Sequence, residues 1–278
     1  MNKIKIILGY LFGFLASFFI ACLTILLILN GTVFNKSYVT KRLEKNNYYE
    51  NVQKEIIDDM KAYMISSGLS EEILNNLVSD KEIRKDTNNF LTSIYKGETY
   101  KFSDENIRAR LLENIDAYLN KHNLSITNQK MLDEFVDDIV QFYDDEIQLY
   151  GYTNQVVSKF YKISIIIDKA IIVLGILSVV SIIVLLLLRF EYIYSVVSAS
   201  GLILLFISFI IRIKIDINNI YIISNTFSTV LIDLLKSIIK LNNIIGFLLF
   251  IFGMILALIH IIFQKKEKIS KKVLKKNN

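Results

Sequence analysis

Four apolar runs, residues 6–29, 170–188, 193–211 and 244–263, contain no charged side chain. At about 1.5 Å of rise per residue, each is long enough to cross a hydrocarbon layer of roughly 30 Å as a helix. Between the first run and the second lies a polar stretch of more than a hundred residues, so one chain serves two solvents. The reading is an all-α polytopic membrane protein: four transmembrane helices, with a helical extracytoplasmic domain between spans 1 and 2. Proline is absent, so nothing in the sequence forces a kink, and long uninterrupted helices are expected.

Charge placement sets the expected orientation. The stretch 265–276 carries seven lysines against Glu267, and Lys3 and Lys5 precede the first run. By the positive-inside rule both termini are cytoplasmic, residues 31–165 are extracytoplasmic, 189–192 form an inner hairpin and 212–243 lie outside again. Residues 36–165 hold 17 Lys+Arg and 22 Asp+Glu, a net charge of 17 − 22 = −5. The positive balance of the whole chain thus belongs to its membrane-proximal basic end, and nucleic acid is not an expected partner. The first apolar run is too long for a signal-peptide core and reads as a retained anchor. Cys22 lies within it, so no intramolecular disulfide is possible in a chain with a single cysteine.

The expected layout is residues 1–30 for the N-terminus and span 1, and 31–165 for the outer helical domain. Spans 2 to 4 occupy 166–263, with an amphipathic helix near 220–240 lying on the outer surface or docked beneath the outer domain, and 264–278 form a basic cytoplasmic tail. Within the outer domain, apolar residues recur at spacings of three and four over 37–46, 47–66, 79–94, 103–122 and 128–149. Ser79 to Glu82 has the letters of a capping box, and Gly68, Gly97 and Gly151 mark joints.

Two groups of residues stand out as candidate sites. Gly9, Gly13, Ser17 and Ala21 place a small side chain at every fourth position of span 1, which stacks them on one face and lets another backbone approach closely. Gly246, Gly253 and Ala257 offer a weaker version in span 4. Asp133, Asp137, Asp138, Asp144 and Asp145 crowd one helix, a face suited to a cationic partner if it is not simply solvated. No calcium loop accompanies them. With only His122 and His260 in the chain, a multi-histidine metal site is not expected, and no nucleophile elbow, zinc-protease helix or phosphate loop occurs. The expectation is therefore no catalytic residue, no metal and no cofactor. Asp168, beside Lys169, is expected at the outer rim of span 2.

The stretch Phe34-Asn35-Lys36-Ser37-Tyr38-Val39, then Leu43 and Asn47-Tyr48-Tyr49, ahead of an acidic and aromatic helical region and three further spans, resembles uncharacterised four-span membrane proteins of low-GC Gram-positive bacteria. That resemblance implies a plasma-membrane address and carries no activity with it. The functional expectation is a non-enzymatic envelope protein whose outer domain binds a protein or envelope ligand, with the lipid bilayer and a membrane or envelope protein as partners. The alternative is a transporter or channel component with Asp168 and the span serines on its path.

Overall fold

The computed structural model of the chain describes residues 3–67, 70–126, 128–148, 153–188, 191–220 and 224–276. Its elements are α1 (Lys3–Gly31), α2 (Lys36–Lys45), α3 (Tyr48–Ser67), α4 (Asp80–Lys96), α5 (Glu105–His122), α6 (Gln129–Ile147), α7 (Thr153–Leu188), α8 (Glu191–Lys214) and α9 (Asn225–Lys276), with single 3-10 turns at Glu71–Leu74 and Ile217–Asn219. Four of these helices, α1, α7, α8 and α9, are long and apolar enough to cross a membrane, and α2 to α6 form a large helical region between the first and the second of them. The joints expected at Gly68 and Gly151 lie outside the described residues.

The chain divides into two compact units. One comprises Met1–Val33, Ile165–Asn219 and Leu235–Asn278; the other comprises Phe34–Ser164 and Ile220–Leu234. In the first, α1 lies along α8. Ala16 of α1 is fully buried with Leu185 of α7 and Val196 of α8, and the stripe of small residues follows the same face, Ser17 and Ala21 being buried. Most of the remaining span surface is bare hydrocarbon: Ile172, Phe206, Phe247 and Leu258 are each more than half exposed. Such a patch in water would be untenable, and in a bilayer it meets acyl chains.

The second unit is a helical domain with its own core. α3 runs through the middle and buries Val52, Ile56, Met60 and Met64 against Ile83 of α4, Leu111 of α5 and Ile139 of α6. Local chemistry starts and stops these helices where the sequence indicates. Ser79 Oγ accepts from the Glu82 N–H while the Glu82 carboxylate accepts from the Ser79 N–H, so the capping box is formed. Asn35 and Asn128 cap α2 and α6 in the same sense. Gly97 ends α4 at φ +69, and a Cβ there would also stand 2.6 Å from the Tyr161 ring.

The expected boundaries around residues 220–240 need correction. Among the described residues, the segment from Asn225 does not form a helix of its own. Ser224 caps a single helix of 52 residues, α9, which runs on through span 4 to Lys276, so the basic tail is also helical. No proline interrupts 238–245, and Asn242, polar enough to suggest a boundary, donates its amide to the Leu204 carbonyl instead of capping a new helix. Likewise α7 passes through Asp168-Lys169 without a break. The first turns of α9 belong to the helical domain: Val230 and Leu234 are buried in its core with Phe227 against it. Glu55 of α3 accepts from Ser224 Oγ at 2.8 Å and from the Thr226 N–H at 3.1 Å, which satisfies donors at the helix start.

Asp233 fixes the same segment to α2. It accepts from Arg42 at 3.0 Å, Lys45 at 2.9 Å and Asn46 at 3.3 Å. Burial pushes its carboxyl up, but the bonds from Lys45, Asn46 and Arg42 outweigh this and hold it below the ordinary carboxylate value. Asp233→Ala is expected to cost about 2 kcal/mol at neutral pH, read as lost amide-exchange protection in α2 and the first turns of α9 of the full-length protein. Since the folded carboxyl titrates below its unfolded value, the contribution is complete above about pH 4 and fades as pH falls through the folded value. Wild type and variant should converge in acid; an equal gap at all pH values would assign the effect to packing alone.

Candidate functional site

Where the segment 100–102 passes the start of α5 and the length of α6, the helical domain carries a groove of about 610 Å³. Its floor is aromatic. Tyr100 meets Phe90 edge to face at 5.4 Å, and Phe102 lies 5.5 Å from Tyr143, a fully buried side chain whose hydroxyl donates to Asp86 at 2.9 Å. Its walls are acidic, with Asp104 from the start of α5 and Asp137, Asp138 and Asp144 from α6, facing one cation, Arg108. Counting those groups leaves 1 − 4 = −3.

Each carboxylate is positioned by an intradomain bond. Arg108 donates Nε to Asp104 at 3.1 Å and Nη2 to Asp137 at 2.6 Å, which bridges α5 to α6 and holds the guanidinium above its ordinary value. Tyr63 donates to Asp138 at 2.8 Å, and that bond is the chief reason its phenol is pushed up. Gln148 donates to Asp144 at 2.5 Å. Burial raises the Asp144 carboxyl, the Gln148 bond opposes this, and Asp145 and Asp86 add to the rise. Burial, with Asp86 and Asp144 nearby, likewise pushes the Tyr100 phenol up. A groove with this floor and these walls favours an extended cation with an apolar stem, because carboxylate lone pairs take its charge and aromatic faces take its methylenes.

Of the five acidic residues singled out in the sequence, three line this groove. Asp133 and Asp145 do not: they accept from Gln129 at 3.1 Å and Gln141 at 2.9 Å along their own helix. Asp104, Arg108 and Phe102 join the groove without a sequence signal that marks them as a site, although the Asp104 to Arg108 spacing of four residues is a readable pair. Among the described residues no group of three or more His, Cys, Asp or Glu side chains could hold a metal ion. His122 lies 4.0 Å from Glu72, and His260 lies 3.5 Å from Glu191.

The small-residue face of α1 is met by α8. Gly9 faces the Tyr192 ring, which a Cβ there would overlap, while at Gly13 the nearest atom, Val196 Cγ2, is 3.8 Å away. The tighter seam is between α8 and α9. A Cβ on Gly201 would stand 2.5 Å from the Gly246 carbonyl oxygen and 2.5 Å from the Phe250 nitrogen, and one on Gly253 would overlap Ser198 Oγ. One turn beyond, buried Asn242 donates to the Leu204 carbonyl at 2.8 Å and to Ser208 Oγ at 2.7 Å. Asp168 accepts from Asn30 Nδ2 at 3.2 Å, which joins α7 to the end of α1. Compared with known proteins, the chain matches no family model, no curated protein and no solved structure.

Proposed function

We propose that this multi-pass membrane protein is a non-enzymatic binding protein of the cell envelope, whose helical domain takes a cationic segment of an envelope protein or ligand in the acidic groove. The observation that carries the reading is the groove itself: four carboxylates and one arginine above an aromatic floor. The address rests on charge: seven lysines at the end of α9 favour the cytoplasmic face there, and with the four candidate spans among the described residues both termini would share that face and the helical domain would lie outside. The transporter alternative draws little from Asp168, whose carboxylate is engaged by Asn30 at the end of span 1.

A lysine-rich peptide with aromatic residues is the probe. Full-length protein in neutral nanodiscs should bind it in a salt-sensitive way, and Asp137→Asn/Asp138→Asn/Asp144→Asn should weaken binding by roughly tenfold. A triple variant that binds as wild type does would sink the groove assignment. On intact cells the same difference between wild type and variant tests the address, because a difference that emerges only after the membrane is opened puts the groove on the cytoplasmic face.

A further inference from the structure

At the end of α8 the chain leaves the apolar region through Arg212, Ile213 and Lys214, and it turns at Ile217–Asn219. Together with α9 around Lys236 and Ile239, two turns before the apolar run 244–263, these residues enclose a second cavity of about 510 Å³. Arg212 and Lys236 both line it, and among the described residues neither is within ion-pair distance of a carboxylate. Asp216 is on the same wall, so the lining sums to 2 − 1 = +1. The rest of the wall includes four isoleucines, 213, 215, 217 and 239.

We infer that this cavity binds the phosphate headgroup of an anionic phospholipid, with Arg212 and Lys236 on the phosphate oxygens and the isoleucines against the upper acyl chains. Two cations in one recess call for an anion, and a guanidinium with an ammonium suits phosphate oxygens through charge-assisted hydrogen bonds. A soluble anion would satisfy the cations and leave the isoleucines in water. A phospholipid presents charge and hydrocarbon in the order in which this wall presents their complements, and basic recesses between membrane helices are where headgroups are held. One crossing separates this end of α8 from the lysine-rich end of α9, so the cavity and that basic stretch belong to opposite faces of the bilayer.

The test is native mass spectrometry of the full-length protein released from nanodiscs of phosphatidylcholine doped with phosphatidylglycerol. Phosphatidylglycerol should be retained in preference to phosphatidylcholine, and Arg212→Gln/Lys236→Gln should lower its retention roughly tenfold. Lys265→Gln/Lys266→Gln, at the other face, should leave it unchanged. The charge-conserving exchange Arg212→Lys/Lys236→Arg should keep most of the binding, and it decides the matter if the glutamine variant loses helix content. Equal retention of the two lipids overturns the inference. So does loss in the Lys265/Lys266 variant alone, failure of the charge-conserving exchange to bind, or displacement of the lipid by excess inorganic phosphate, which would mark a site for a soluble anion.

Discussion

Gly201→Ala is expected to be the most damaging single-methyl change in the membrane unit, at about 3 kcal/mol. The added carbon would sit 2.5 Å from the Gly246 carbonyl oxygen and 2.5 Å from the Phe250 nitrogen. Both are backbone atoms, so no side-chain rotation relieves the contact and α8 has to move away from α9. That movement stretches the bonds from Asn242 to Leu204 and Ser208, whose loss in hydrocarbon leaves polar groups without partners. Thermal unfolding of the purified full-length protein in mild detergent should show the loss, with Gly13→Ala as the control. There the nearest atom to the new carbon is 3.8 Å away, and the change should lie within about 0.5 kcal/mol of wild type. If both variants behave alike, the α8 to α9 seam is not the tight one.

The largest expected effect in the helical domain comes from Tyr143. Its side chain is fully buried, packs at 5.5 Å against Phe102 and donates to Asp86. Tyr143→Ala removes a ring from a closed core and should cost about 4 kcal/mol, with the floor of the acidic groove losing support at the same time. Tyr143→Phe keeps the ring and removes only the donor, for about 1 kcal/mol. The second change has a pH signature. Burial already raises the Asp86 carboxyl and the Tyr143 hydroxyl opposes that rise, so the phenylalanine variant should raise it further. A folded value above the unfolded one favours folding at low pH and loses that advantage as pH rises through the folded value. The deficit of Tyr143→Phe should therefore be greatest at neutral pH and shrink in acid. A deficit that does not change with pH would mean that the hydroxyl bond contributes little.

These two sites show how far the sequence could be read. Helix positions in the domain were legible because caps and apolar spacing are local: Ser79 with Glu82, Asn128, and the three-and-four rhythm of α3 each act within one or two turns. The run lengths of the spans were legible for the same reason. The ranking of small-residue faces was not. Gly9, Gly13, Ser17 and Ala21 make the more regular pattern, yet it is Gly201 against Gly246 that brings backbone against backbone, because tolerance depends on what stands opposite, and a single helix does not record its neighbour. The same limit applies to Asn242 and Asp233. One resembles a span boundary and the other a solvated face, until Leu204, Ser208, Arg42 and Lys45 arrive from distant parts of the chain. The groove was half legible: its α6 carboxylates are dense in the sequence, while Tyr100, Phe102 and Arg108 join them only through the packing of α5 on α6.

The discontinuous make-up of the helical domain bears on how the protein is made. Residues 34–164 leave the ribosome first, but the core stays incomplete until Val230 and Leu234 arrive, 234 − 164 = 70 residues later, after the second and third membrane helices have been synthesised. At a typical rate of synthesis that interval is roughly 4 to 14 seconds. During it the face of the domain that receives Phe227, Val230 and Leu234 is uncovered. Completion of the domain therefore reports that the fourth helix has been started in the correct direction. A chain that misthreads its last crossing would display an open apolar face, the feature by which quality-control factors recognise unfinished proteins.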